Sequence, residues 1–137
     1  MASLQATTGN WSAAGAEYLK GYQACKAAGR PDAAANFWSG YTDTLQRQRA
    51  AGASDMAVLQ EEAKNPKASL YARLVAYLTI GLSRFDAHDR DGAAQAYRHG
   101  LALNDSVPAD APERKALILL AHSQNRAVQG APGPRGD

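Results

Sequence analysis

Apolar residues recur along this chain at spacings of three and four, and this periodicity limits the fold more than any other feature. Between residues 34 and 45 they fall at i, i+3, i+4, i+7 and i+11, which is one face of an α-helix. These residues are Ala34, Phe37, Trp38, Tyr41 and Leu45. The alternation of apolar and polar residues that marks a strand is not sustained anywhere. The sequence therefore predicts an all-α fold.

Glycine, proline and capping residues divide the chain into about six helices joined by short turns, which makes neighbouring helices antiparallel. The predicted helices cover residues 11–28, 31–51, 56–64, 67–87, 91–104 and 112–129. The predicted N-caps are Asn10, Ser54 or Asp55, and Asp110. The predicted inward residues of the last helix are Leu117, Leu120, Ala121 and Val128. We predict that the six helices form one domain over residues 10–129.

The two ends of the chain are predicted to lie outside this domain. We expect residues 1–9 and 130–137 to be flexible tails, and "GAPGPRGD" at 130–137 has the composition of a linker. The sequence leaves open whether the chain is a fragment of a longer protein, such as its helical arm. It also leaves open whether a transit peptide has been removed.

Two stretches of the chain, 21–41 and 81–101, share a pattern of small and aromatic residues when one is shifted by sixty positions. The paired positions are Gly21 and Gly81, Ala33 and Ala93, Phe37 and Tyr97, and Gly40 and Gly100. Small residues let two helix backbones approach closely, and the aromatic ring fills the next layer. The pattern therefore predicts two similar helix pairs, with Gly81 facing a surface formed by Ala93, Tyr97 and Gly100.

This pattern resembles the tetratricopeptide repeat, a family of stacked helix-turn-helix pairs. The matching residues are Tyr77, Ile80, Gly81, Ala93, Tyr97, Gly100 and Leu101. The chain departs from the family at Arg84, where Tyr is preferred, and at Asp105, where Pro is preferred. Its offset of sixty also differs from the family's 34, with an irregular insertion at 52–66. An irregular, alanine-rich helical bundle is the alternative.

The resemblance implies a function in binding. In this family the first helix of each pair lines a concave face, which points to Tyr18, Tyr22, Cys25, Val75, Leu78 and Leu82 as partner-binding residues. This set is apolar and lacks the Lys and Asn with which one variant of the family holds a terminal carboxylate. It suits an amphipathic helix or peptide of a partner protein, or a second copy of the chain. Alternatively, the chain's own helices cover this face.

Composition excludes several other classes of partner. The net charge is only +2 and the basic residues are scattered, so no nucleic-acid or membrane-surface binding is expected. The apolar stretch at 74–82 is too short to cross a bilayer. A single cysteine and no recognisable signal peptide favour a cytoplasmic location. We expect a small adaptor or a subunit of an assembly; its partner and its process stay open.

No arrangement of residues indicates a catalytic or metal site. The segment 87–92 resembles part of a calcium-binding loop, but Ala87 and Arg98 stand where acidic ligands are required. The three histidines, His88, His99 and His122, lack a second ligand at helical spacing. We therefore expect no enzyme, no cofactor and no metal. The alternative is a small ligand-binding protein or enzyme with an aromatic pocket, formed by Trp11, Trp38, Tyr41 and Tyr77.

Overall fold

The computed structural model describes residues 11–48, 52–103 and 111–129, and these residues form six α-helices and no strands. The helices are α1 (Trp11–Ala27), α2 (Pro31–Gln48), α3 (Ala53–Lys64), α4 (Leu70–Asp86), α5 (Arg90–Leu101) and α6 (Pro112–Gln129). The predicted all-α class is therefore confirmed. The predicted tails, the Asn10 and Asp110 caps, and the end of the second helix beyond 48 lie outside the described residues.

Helix α4 is the centre of the fold, because α2, α3, α5 and α6 all pack against it. It is accordingly buried on more than one face. Leu74, Leu78 and Gly81 are buried, whereas Tyr77 and Leu82 are only half-buried. The additional buried residues are Ala72, Val75, Ala76, Thr79 and Ile80.

The α1–α2 and α4–α5 pairs repeat one packing contact. A Cβ atom added at Gly21 would lie 2.5 Å from the ring of Phe37. A Cβ atom added at Gly81 would lie 2.2 Å from the ring of Tyr97. Only glycine leaves room for the facing ring at these distances, so the close approach predicted from the sixty-residue offset is confirmed. Gly100 faces Leu120 of α6 and Tyr77 of α4, with clearances of 3.0 and 3.1 Å from a notional Cβ.

Helix α3 begins earlier than predicted, at Ala53 instead of 56. Gly52 is its N-cap and supplies no side-chain hydrogen bond, so the prediction of Ser54 or Asp55 as the cap is wrong. The Asp55 carboxylate is used elsewhere: its Oδ1 accepts a hydrogen bond of 2.7 Å from the buried Tyr41 hydroxyl. The predicted end before Pro66 is correct, because α3 stops at Lys64.

Helix α4 begins at Leu70, three residues later than predicted. The Asn65 side chain accepts from the Lys67 amide at 3.0 Å and the Asn65 carbonyl accepts from the Ala68 amide at 3.1 Å. These bonds fold 65–68 into a turn. Ser69 then caps the helix by accepting from the Ala72 amide at 3.1 Å.

Helix α6 buries a different line of residues from the one predicted. Leu117 and Leu120 point inward as expected, but Ala121 is exposed and Val128 is 55% exposed. Ala116 and Ala127 are buried instead. The helix packs against both α4 and α5, and the line formed by Ala116, Leu120 and Ala127 faces that junction. None of the described helices is long and apolar enough to cross a membrane.

Candidate functional site

The six residues predicted to bind a partner do not form one exposed face. Tyr22, Val75 and Leu78 are buried, at 6%, 8% and 6% exposure. Tyr18, Cys25 and Leu82 are half-buried. The ring of Tyr18 lies over Gly40, at 2.5 Å from the position of a Cβ atom there. Half of the predicted surface is therefore covered by the chain's own side chains.

Helix α3 covers Tyr22 through a buried carboxylate. The Tyr22 hydroxyl donates a hydrogen bond to Oε2 of Glu62, and Lys26 Nζ donates to Oε1 at 2.8 Å. The Glu62 side chain is 6% exposed, whereas that of Lys26 is 44% exposed. These three residues form the Tyr22–Lys26–Glu62 cluster, which joins α1 to α3.

The electrostatics of this cluster are dominated by burial. Loss of solvent raises the pKa of the Glu62 carboxyl above its ordinary value of 4.5, and a hydrogen bond from Asn65 lowers it by a smaller amount. The Lys26 side chain is partly exposed, and solvent therefore screens its attraction for the carboxylate. A buried carboxyl with a raised pKa beside a cavity is a common feature of functional sites.

Two cavities share this cluster as a wall. The larger has a volume of 560 Å³ and lies between α1 and α3. Its lining includes Leu19, Tyr22, Lys26, Trp38, Val58 and Glu62. The second, which we name the basic cavity, has a volume of 270 Å³ and opens between the end of α1, the start of α2 and the start of α4. Its lining includes Tyr22, Lys26, Arg30, Ala34, Lys67 and Ala72.

The three described aromatic residues of the alternative pocket, Trp38, Tyr41 and Tyr77, do not line one cavity. Trp38 and Tyr41 are almost fully buried, with ring centroids 5.4 Å apart. Trp38 Nε1 donates to the carbonyl of Ala72 at 3.0 Å, which ties α2 to α4. Tyr77 lines a different cavity, of 160 Å³, and packs edge-on against the His99 ring. The side chain of Trp11 lies outside the described residues.

The acidic segment at 87–92 forms a helix cap. His88 adopts a left-handed conformation with φ 68°, and the Asp89 side chain then accepts from the Gly92 amide at 2.9 Å. Within 11–48, 52–103 and 111–129, no group of three histidine, cysteine or acidic residues is placed to hold a metal ion.

Sequence reasoning missed an exposed apolar surface on α6. Ile118, Leu119 and Val128 are exposed by 49%, 48% and 55%. The signal for Ile118 and Leu119 was present, because three adjacent apolar residues at 118–120 cannot all face one core in a helix. The prediction that Val128 faces the core is wrong, because the buried line of α6 runs through Ala127 instead.

Comparison with protein-family models, with curated proteins and with solved structures found no match to this chain.

Proposed function

We propose that this chain is a protein-interaction module that binds an acidic amphipathic helix of a partner protein along the outer face of α6. The observation that carries the proposal is the exposure of three large apolar side chains, Ile118, Leu119 and Val128, on one helix. Isolated apolar residues are ordinary on protein surfaces, but several on one helix favour an interface.

The spacing of the exposed residues suits a helical partner. Ile118, Ala121, Asn125 and Val128 follow one another at intervals of three, four and three, so they form one stripe along α6. We name this stripe the α6 outer face. A second helix can pack its apolar side along such a stripe.

The charge of α6 specifies the partner further. Lys115 and Arg126 are the charged residues of α6 that are exposed, and both are positive. Arg126 also lies over the Phe85 ring, with its Cζ 5.7 Å from the centroid, which keeps it at one edge of the helix. An acidic border on the partner helix would complement these cations.

The α6 outer face is a different surface from the partner-binding face predicted from the sequence. Tyr22, Val75 and Leu78 are buried within the chain, so binding through them would require helices to separate. The α6 outer face needs no such rearrangement. The proposed class of function therefore stays protein binding, and the proposed surface moves to α6.

Photo-cross-linking tests this proposal. Benzoylphenylalanine placed at Ile118 is expected to cross-link one partner in cell extract, whereas the same group at the exposed Gln95 of α5 is not. The purified partner should then bind the wild-type chain, and Ile118→Glu should weaken that binding at least about tenfold because it buries an unpaired charge.

The control variant is Ala24→Glu, which adds the same charge at an exposed position of α1 and should leave the affinity unchanged. Equal cross-linking from positions 118 and 95, or equal binding by Ile118→Glu and the wild type, would overturn the proposal. Light scattering tests for self-association. If the measured mass of the wild type doubles as its concentration rises, and that of Ile118→Glu does not, the helix that binds this face belongs to a second copy of the chain.

A further inference from the structure

The basic cavity collects positive side chains from three separate parts of the chain. Lys26 comes from α1, Arg30 from the turn between α1 and α2, and Lys67 from the turn between α3 and α4. The inner wall is apolar and consists of the Tyr22 ring with Ala34 and Ala72, all of them buried. The cavity therefore has an apolar floor and a cationic rim.

Two of these cations have no carboxylate partner among the described residues. Lys26 is bonded to Glu62 at 2.8 Å, but neither Arg30 nor Lys67 forms an ion pair with any described residue. Glu62 is the acidic residue that lines the cavity, and its bond to Lys26 neutralises it. A net positive charge therefore remains at the rim.

The backbone holds both unpaired cations in place. Gly29 adopts φ +70°, the left-handed conformation that glycine tolerates, and so reverses the chain after α1. The Arg30 amide donates to the Cys25 carbonyl at 2.9 Å, and the Arg30 carbonyl accepts from the Ala34 amide at 3.0 Å. The Lys67 amide donates to Asn65 Oδ1 at 3.0 Å. Both side chains therefore start from fixed points on the rim.

We propose that the basic cavity binds a small-molecule oxyanion, a phosphate monoester or a carboxylate carried on a compact apolar body. The Arg30 guanidinium can donate two parallel hydrogen bonds to such a group, and the Lys67 ammonium adds a second positive charge. The apolar body would lie against Tyr22, Ala34 and Ala72. This proposal is independent of the α6 outer face.

The size of the cavity limits the ligand. A volume of 270 Å³ lies just below the range of about 300–1,000 Å³ that is usual for small-molecule sites. A ligand of about the size of phenyl phosphate or benzoate satisfies this limit and carries both the anionic group and the apolar body. Both compounds are therefore suitable probes.

A titration followed by ¹H–¹⁵N correlation spectra tests the proposal, with phenyl phosphate and benzoate in separate arms and with sodium chloride keeping the ionic strength constant. We expect saturable shifts of the amide signals of Gly29, Arg30, Ser69 and Ala72, which surround the cavity. Saturation in one arm alone identifies the oxyanion that the site prefers. No saturable shift at these amides in either arm would overturn the proposal.

Paired variants separate a defined site from general attraction by a basic surface. Arg30→Gln with Lys67→Gln should weaken binding at least tenfold. Lys20→Gln with Lys64→Gln changes the net charge equally at two exposed positions outside the cavity, and should leave the affinity unchanged. Equal weakening by the two pairs would overturn the proposal, as would unchanged binding in the first pair.

Discussion

Gly81 is the residue at which a single added methyl group should disturb the packing most. Its notional Cβ lies 2.2 Å from the ring of Tyr97, a residue that is only 1% exposed. We expect Gly81→Ala to lower the free energy of unfolding by about 1–3 kcal/mol, net of the roughly 1 kcal/mol by which alanine favours a helix. Urea denaturation measures this difference.

Gly21→Ala is the matched comparison for this prediction. It brings a Cβ to 2.5 Å from the Phe37 ring, but Phe37 is half-buried and can turn toward solvent. Its cost should therefore be smaller than that of Gly81→Ala. In a Tyr97→Leu background the cost of Gly81→Ala should also fall, because the opposing ring is gone. An equal cost in both backgrounds would contradict the proposed clash.

At the scale of the helices, α3 is joined to the bundle by hydrogen bonds to buried side chains as well as by apolar contact. Burial raises the pKa of Glu62 above 4.5, so the folded chain holds this proton more tightly than the unfolded chain does. The contribution of Glu62 to stability is therefore greatest below pH 4.5 and is lost as the pH rises through the folded-state pKa. Glu62→Gln removes this titration and keeps an oxygen that can accept from Tyr22.

We expect the free energy of unfolding of Glu62→Gln, relative to the wild type, to be higher at pH 7 than at pH 4. Urea denaturation at both pH values measures the change. Glu61→Gln is the control, since it alters an exposed carboxyl in the same helix and should follow the wild type at both pH values. A relative stability that falls toward pH 7 would mean that the bond from Lys26 outweighs burial.

The helices and the close contacts of Gly21 and Gly81 were predictable from local sequence, whereas the placement of α3 was not. The spacing of Gly81 and Tyr97 in the sequence predicts their contact, because a small residue on one helix leaves room for a ring on the helix packed against it. Nothing adjacent in sequence couples Tyr22 to Glu62, forty residues away, or Tyr41 to Asp55. Capping is a local interaction, so the sequence predicts Asp55 as a cap, whereas its carboxylate accepts a hydrogen bond from the distant Tyr41 hydroxyl. The basic cavity was missed for the same reason: its cations come from distant turns.

At the scale of the whole molecule, the contact between α2 and α4 joins the α1–α2 pair to the rest of the fold. Trp38 is 0% exposed, and its indole donates to the Ala72 carbonyl at 3.0 Å. Gln46 adds a bond of 3.1 Å to Thr79 in the same contact. If these interactions make the described helices one cooperative unit, a substitution at Trp38 must also destabilise α6, although α6 does not belong to the α1–α2 pair.

We expect Trp38→Leu to lower the free energy of unfolding by about 2–4 kcal/mol, because it leaves a cavity and removes the hydrogen bond of the indole. Hydrogen exchange should then accelerate by the same factor for the slowest amides of α1 and of α6. Leu120→Ala is the reciprocal variant, because Leu120 of α6 packs against Gly100 of α5. It should accelerate hydrogen exchange in α1 as much as in α6. Faster exchange confined to α1 and α2 in the first variant, and to α5 and α6 in the second, would divide the chain into two independently unfolding units. In that case α4 would belong to the second unit, and the hydrogen bond of Trp38 would be a contact between units instead of part of one core.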